Sequence, residues 1–205
     1  MNRLTRGLRE LAASIEWRLK GRPVPLPNVL KQAIIIEHAK ASGIRVFVET
    51  GTYEGRTLAA MMPFFDRLYS IELGEDLYRR ACDRFASAPK VRLLQGDSGE
   101  RLADVLELVR EERCLFWLDA HYSRGDTARG EEETPILKEL ELIGAHPVRG
   151  HLLLIDDARC FGVDEGYPSI ERMRETAARL FPSSAFSVDR DIIRIIPMTE
   201  DGRLP

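Results

Sequence analysis

The chain has 205 residues, 44% of them hydrophobic and 31% charged, with a formal net charge of -3. That length suits one domain, or one domain with a short appendage, and the balance excludes a disordered chain. The slight negative charge excludes a general pull toward nucleic acid. The exception is local, because residues 1–22 carry Arg3, Arg6, Arg9, Arg18, Lys20 and Arg22 against only Glu10 and Glu16.

The first segment, "NRLTRGLRELAASIEWRLKG", sets Leu4, Leu8, Leu11, Ile15 and Leu19 at helical spacing with a basic face opposite. The proline-rich "GRPVPLPN" cannot continue that helix and reads as a linker. The expected division is therefore an amphipathic basic helix with its linker over 1–27 and a main domain over 28–205. The apolar stripe is expected to pack on the domain or on a second subunit, so a homodimer through this helix is a candidate assembly. Charge alone would also suit a membrane surface. Asn28 is expected to cap a helix through "VLKQAIIIEHAKAS" that stops at Gly43.

After Gly43 short β-rich runs alternate with amphipathic segments. The runs are "IRVFVE", "RLYSIE", "KVRLLQ", "CLFWLD" and "HLLLID"; the helical segments include "EDLYRRACDRFAS", "GERLADVLELVR", "TPILKELELIGA" and "SIERMRETAARLF". Continuous apolar strands separated by helices indicate a parallel sheet covered on both faces. Right-handed crossovers then bring every strand's C-terminal end to one edge, where ligands bind. "SAFSVDRDIIRII" has no helix between its two strand-like runs and predicts a terminal antiparallel hairpin turning at "DR". The expected fold is α/β: a Rossmann-like, doubly wound, mostly parallel seven-stranded sheet with a C-terminal antiparallel hairpin. The polar stretch "HYSRGDTARGEEETP" is too long for a tight turn and reads as a lid over the ligand edge.

Cys82, Cys114 and Cys160 are widely spaced, with no CxxC or Cys/His cluster, so zinc and a disulfide framework are not expected and each reads as a small core residue. The sequence holds no secretory signal and no apolar run long enough for a bilayer, which makes a cytoplasmic protein the expectation.

Acids occupy the ligand edge at every parallel strand. The ends supply Glu49 with the loop "ETGTYEGRT", then Glu72, then Gly96, Asp97 and Ser98, then Asp119 and His121, and finally Asp156 and Asp157. Such an edge suits hydroxyls, amines and metal ions better than phosphates. In the loop, Gly51 and Gly55 form GxxxG rather than GxGxxG, and Thr52 and Tyr53 crowd the place where a pyrophosphate would approach. An NAD site is disfavoured, and the absence of GK[ST] excludes a P-loop. Glu72 can accept both hydroxyls of a ribose or simply face solvent.

The order ExGxYxG, a strand ending in Glu, "GDS" and then "LDAH" resembles the class I S-adenosylmethionine-dependent methyltransferases from about Ile44 to Ile196. Within them it is most similar to the small metal-dependent O-methyltransferases, of the catechol and sugar-methylating kinds. The resemblance implies that Glu49, Gly51, Tyr53, Gly55 and Thr57 lie under the methionine part of S-adenosylmethionine. It implies further that Glu72 holds the ribose and that Asp97 and Ser98 flank the adenine, with Asp119 also at the cofactor. It also implies a divalent cation, magnesium in most such enzymes, on Asp119, Asp156 and Asp157. Three crowded carboxylates raise one another's pKa, which a hard dication relieves, and all-oxygen ligation suits magnesium, manganese or calcium. The other reading has Asp157 capping the next segment while Arg159 pairs with Asp156.

The chemistry expected is attack of a metal-bound hydroxyl on the sulfonium methyl, with Asp119 and His121 as the catalytic residues. His121 serves as proton acceptor and Tyr122 competes for that role. The substrate would be a small hydroxylated molecule: a sugar, a polyol or a catechol-like compound, with aliphatic hydroxyls favoured because no aromatic wall is evident. Two other functions compete on the same scaffold, aminopropyl transfer without a metal and a non-catalytic cofactor-binding module.

Overall fold

The computed structural model describes residues 3–119 and 135–199, together with 201 and 203. In chain order the elements are α1 (Arg3–Leu19), α2 (Asn28–Ser42), β1 (Val46–Thr50), α3 (Arg56–Met61), β2 (Arg67–Glu72), α4 (Glu75–Phe85) and β3 (Val91–Gln95). They continue as α5 (Ser98–Leu108), β4 (Cys114–Leu118), α6 (Ile136–Ala145), β5 (Leu152–Ile155), α7 (Ile170–Leu180), β6 (Ser184–Asp189) and β7 (Ile192–Pro197).

One seven-stranded sheet runs in the order β3-β2-β1-β4-β5-β7-β6. The first five strands in that order pair in parallel, and β7 is antiparallel to both β5 and β6. The central strands are buried on both faces because their apolar residues alternate between two cores. Val46, Val48, Phe116 and Leu153 face one core with α5, α6 and α7 residues such as Leu102, Leu140 and Met173. Phe47, Leu115, Trp117 and Leu154 face the other with Ile34 and Ile35 of α2 and Leu58 of α3. Order reverses between β1 and β4, and at such a switch point the loops diverge to leave a crevice at the strand ends.

Three details differ from the sequence reading. Helix α2 opens at Asn28 itself, with Pro27 in the cap position and no side-chain cap bond, while Gly43 closes it in the left-handed conformation at φ 67°. The hairpin turns at Arg190 and Asp191, one residue later than expected, and both have positive φ (50° and 63°). Paired left-handed residues match the twist of the flanking strands, although the turn usually takes Gly or Asn. The third concerns α1, which does not bury its stripe on the domain: Leu8, Leu11, Ile15 and Leu19 are 65%, 59%, 50% and 83% exposed. Among the described residues of this helix, Trp17 packs on the core, and its indole N–H donates to Pro23 O at 2.8 Å. Cys114 is buried in β4, while Cys82 and Cys160 are half-buried, and all three are free thiols. Among the described residues no helix is long and apolar enough to cross a membrane.

Candidate active site

The crevice has two halves joined at Asp119. In the first, the chain leaves β1 through Glu49 and Thr50 and turns at Gly51 (φ 83°), whose N–H donates to Ile71 O at 2.9 Å. Gly55 is required twice over: φ is 65°, and a Cβ there would lie 2.8 Å from the Phe85 ring. Between them Tyr53, also left-handed at φ 47°, donates its N–H to Glu72 Oε2 at 2.7 Å. Gly74 N–H donates to Glu72 Oε1 at 2.9 Å. Each oxygen of this buried carboxylate thus holds one backbone donor and keeps a second lone pair for a ligand.

Beneath the loop, Ser70 Oγ donates to Glu49 Oε2 at 2.7 Å and meets Thr52 Oγ1 at 2.6 Å, so the Thr52 hydroxyl donates to Ser70. Burial pushes the Glu49 carboxyl up to about 8; the Ser70 hydrogen bond opposes this, and the negative fields of Asp119 and Glu72 add to it. Thr57 is half-buried in the first turn of α3.

Asp97 caps α5 by accepting Gly99 N–H at 2.8 Å. Ser98 is buried, and its hydroxyl and that of Thr50 act on the Glu139 carboxyl to oppose the upward shift of its pKa. Glu139 is 1% exposed, its carboxyl is pushed up to about 7 mainly by burial, and its Oε1 has no partner among the described residues. The sequence carried one sign of it, an acid on the same helix face as Ile136, Leu140 and Ile143.

In the second half, Asp119 follows β4 and its N–H reaches Thr50 O at 3.1 Å and Thr50 Oγ1 at 3.3 Å. Asp119, Asp156 and Asp157 each present a carboxylate oxygen within 4.8 Å of the others, the grouping expected of them. The sequence reading missed the cation that accompanies them. Lys31, in the first turn of α2, donates to Asp156 Oδ2 and, at 3.4 Å, to Asp157 Oδ1. Its side chain is only 11% exposed. The detectable sign was a lysine in register with Ile34, Ile35 and Ala39, the buried face of its helix.

Arg159 is a counter-ion too, but to Asp157 rather than to the expected Asp156: its Nη1 meets Asp157 Oδ1 at 2.6 Å and also bonds Asp191 Oδ2. Asp157, left-handed at φ 56°, precedes a 3-10 turn over Ala158–Cys160 without a side-chain cap bond. Asp191 accepts Arg159 N–H on Oδ1 at 2.9 Å, and its carbonyl accepts Ala158 N–H at 2.9 Å. These bonds hold the left-handed turn of the β6–β7 hairpin against the loop after β5.

Burial is the first influence on the titration of this cluster, and the charges packed together in it are the second. Burial pushes the Asp156 carboxyl upward, reinforced by Asp119 and Asp157 and opposed by Lys31. Burial would lower the Lys31 pKa, but Asp156, Asp157 and Asp119 outweigh it and hold the ammonium above its usual range. Tyr167, packed edge-on to Phe161 at 5.2 Å, is raised mainly by burial and lies in the fields of Cys160, Asp157 and Asp119. It places an aromatic pair beside the cluster that was not evident in the sequence. His121, Tyr122 and the lid stretch lie outside the described residues.

No protein-family model and no curated protein sequence matches the chain. Solved structures do. TomG, an O-methyltransferase of Streptomyces achromogenes solved in complex with S-adenosylmethionine, aligns over 93% of this chain and 89% of its own at 17% identity and a TM-score of 0.59. The chain has the class I methyltransferase fold. The Podospora anserina methyltransferase PaMTH1, bound to S-adenosylhomocysteine, aligns over 92% of this chain and 88% of its own at 14% identity and a TM-score of 0.58. An O-methyltransferase from Bacillus cereus, also with S-adenosylhomocysteine, aligns over 91% and 90% at 14% identity and a TM-score of 0.56. At these identities the likeness is one of fold, and function rests on the crevice itself.

Proposed function

We propose that the chain is an S-adenosylmethionine-dependent methyltransferase acting on a hydroxyl of a small sugar, polyol or catechol-like substrate. The observation that carries this reading is the electrostatic continuity of the crevice. Asp119 acts on Glu49 on one side and on Asp156 and Lys31 on the other, so donor and acceptor halves meet at one carboxylate. When bound, S-adenosylmethionine supplies an electrophilic methyl group on a sulfonium sulfur that departs as a neutral thioether.

The chain's own part is to bind and align. Glu72 accepts the ribose hydroxyls, Glu49 and the Gly51–Gly55 turn underlie the amino-acid end, and Asp97 and Ser98 border the adenine. An acidic, partly buried crevice favours a cationic donor over its neutral product, which assists turnover. The acceptor oxygen is held in line with methyl carbon and sulfur, and such alignment can supply much of the rate. Its proton passes to His121 or, through Tyr122, to solvent.

The three carboxylates have the oxygen chemistry of a magnesium site. Lys31, however, already bonds Asp156 Oδ2 and Asp157 Oδ1, so the expected dication does not fit the arrangement beside it. Aminopropyl transfer would use the same acids. It requires a decarboxylated donor and separates from methyl transfer by which donor is consumed. We also propose that a second copy of the chain covers the exposed stripe of α1, giving a homodimer.

Calorimetric titration with S-adenosylhomocysteine tests the reading. One site per chain, tighter than about 100 μM, is expected; no heat and no competition by either donor would refute it.

A further inference from the structure

Helix α2 presents Lys31 where a lysine is least expected. Its first turn carries the positive end of the helix dipole, which disfavours an ammonium, and the position belongs to the buried face of the helix. A buried lysine without a partner would lose its charge or leave for solvent. This one stays because Asp156 and Asp157, 125 and 126 residues further along the chain, close on it. Arg159 takes the outer side of Asp157 and is itself fixed by Asp191. Asp156 Oδ1 accepts Asp157 N–H at 2.9 Å, which fixes how the carboxylate is turned.

A magnesium or manganese ion bound to Asp156 and Asp157 would need oxygens at about 2.1 Å. An ion seated on Asp156 Oδ2 or Asp157 Oδ1 would have to share that oxygen with the ammonium, and on any other oxygen of the pair it would still bring two like charges close together inside a low-dielectric pocket. Ion and ammonium exclude each other from this seat. Among the described residues the ammonium has two acceptors for its three N–H donors.

We propose that Lys31 is the resident cation of the Asp119–Asp156–Asp157 cluster, doing the work of a divalent ion, so that the protein needs none there. The third N–H of Lys31 is then the donor that holds the acceptor's hydroxyl oxygen and steadies the negative charge it develops as its proton leaves. That last role rests on the methyltransferase reading; occupancy of the seat does not.

The experiment uses the full chain and manganese(II) alone, with binding followed by electron paramagnetic resonance and no donor or acceptor present. Wild type should bind Mn2+ no tighter than about 1 mM. Lys31→Met keeps the packed stem, removes the charge and should bind at least about tenfold more tightly. Lys31→Arg, which keeps the charge, should match wild type. Tight Mn2+ binding to wild type that Asp156→Asn abolishes would overturn the proposal. So would a folded Lys31→Met protein with no gain. If Lys31→Met does not fold, the wild-type titration decides alone, because weak binding supports the resident ammonium and tight, Asp156-dependent binding refutes it. None of these outcomes depends on whether the chain binds S-adenosylhomocysteine, so failure of the methyltransferase reading is seen separately.

Discussion

At the ends of β1 and β2, Glu49 and Glu72 take their hydrogen bonds from uncharged groups: the Ser70 hydroxyl and the backbone N–H of Tyr53 and Gly74. Across the switch point, Asp156 and Asp157 take theirs from Lys31 and Arg159. Uncharged donors orient a carboxylate but leave its field unbalanced, which suits a ligand that brings positive charge. Charged donors balance the field internally, which suits a neutral ligand such as a hydroxyl compound. The same residue types at the same sheet edge therefore carry different meanings, set by what lies behind them.

A buried ionisable pair at the opposite edge of the same strands sharpens this contrast, since its hydrogen bonds are made within the protein. Cys114 N–H donates to His151 Nδ1 at 3.1 Å, so His151 is protonated on Nε2 and donates to His146 Nδ1 at 3.0 Å; His146 Nε2–H then reaches Leu106 O at 3.2 Å. Every ring nitrogen is used with both rings neutral. Burial, with His146, Arg149 and Arg113 nearby, lowers the His151 pKa to about 4. With a folded pKa below the unfolded value, the stabilisation is complete above pH 6.5 and lost as pH falls toward 4. That loss amounts to roughly 3 kcal/mol from His151. Imidazole NMR should find His151 neutral down to about pH 4, in step with a falling urea midpoint; titration near 6.5 would contradict the network.

The next effect separates the two halves directly. Glu72→Ala should weaken S-adenosylhomocysteine binding about 100-fold in calorimetry, while Asp157→Asn should change it less than about threefold. Equal losses would mean that the halves are not distinct. A smaller effect tests the clamp on the second half. In urea unfolding, a double-mutant cycle of Arg159→Ala and Asp191→Ala should give a coupling on the order of 1 kcal/mol, modest because Arg159 is about one-third exposed. Additive losses would release the hairpin turn from the site. Smallest of all, removing residues 1–22 should convert a dimer to a monomer in light scattering while leaving S-adenosylhomocysteine affinity within about twofold. A larger loss would place α1 at the crevice.

The strands were legible because a sheet buried on both faces needs uninterrupted apolar runs, and "RLYSIE" matches β2 residue for residue. The acids at the strand ends were legible because parallel crossovers bring all those ends together. Pairings across long stretches of chain were not. Nothing local joins Lys31 to Asp156, and Arg159 was assigned to the nearer-seeming Asp156 when the hairpin tip fixes it on Asp157 and Asp191. Asp191 lies one residue beyond the expected turn, and its role depends on a loop 32 residues away. Charge-bearing residues on buried helix faces, Lys31 and Glu139, were the visible anomalies.

A crystal structure of the protein grown with S-adenosylhomocysteine and manganese(II) would test the central claim most directly. The account predicts S-adenosylhomocysteine between the Gly51–Gly55 turn and Glu72, with the Lys31 ammonium on Asp156 and no anomalous manganese peak among the three aspartates. A manganese ion seated there with Lys31 displaced, or S-adenosylhomocysteine bound elsewhere, would contradict it.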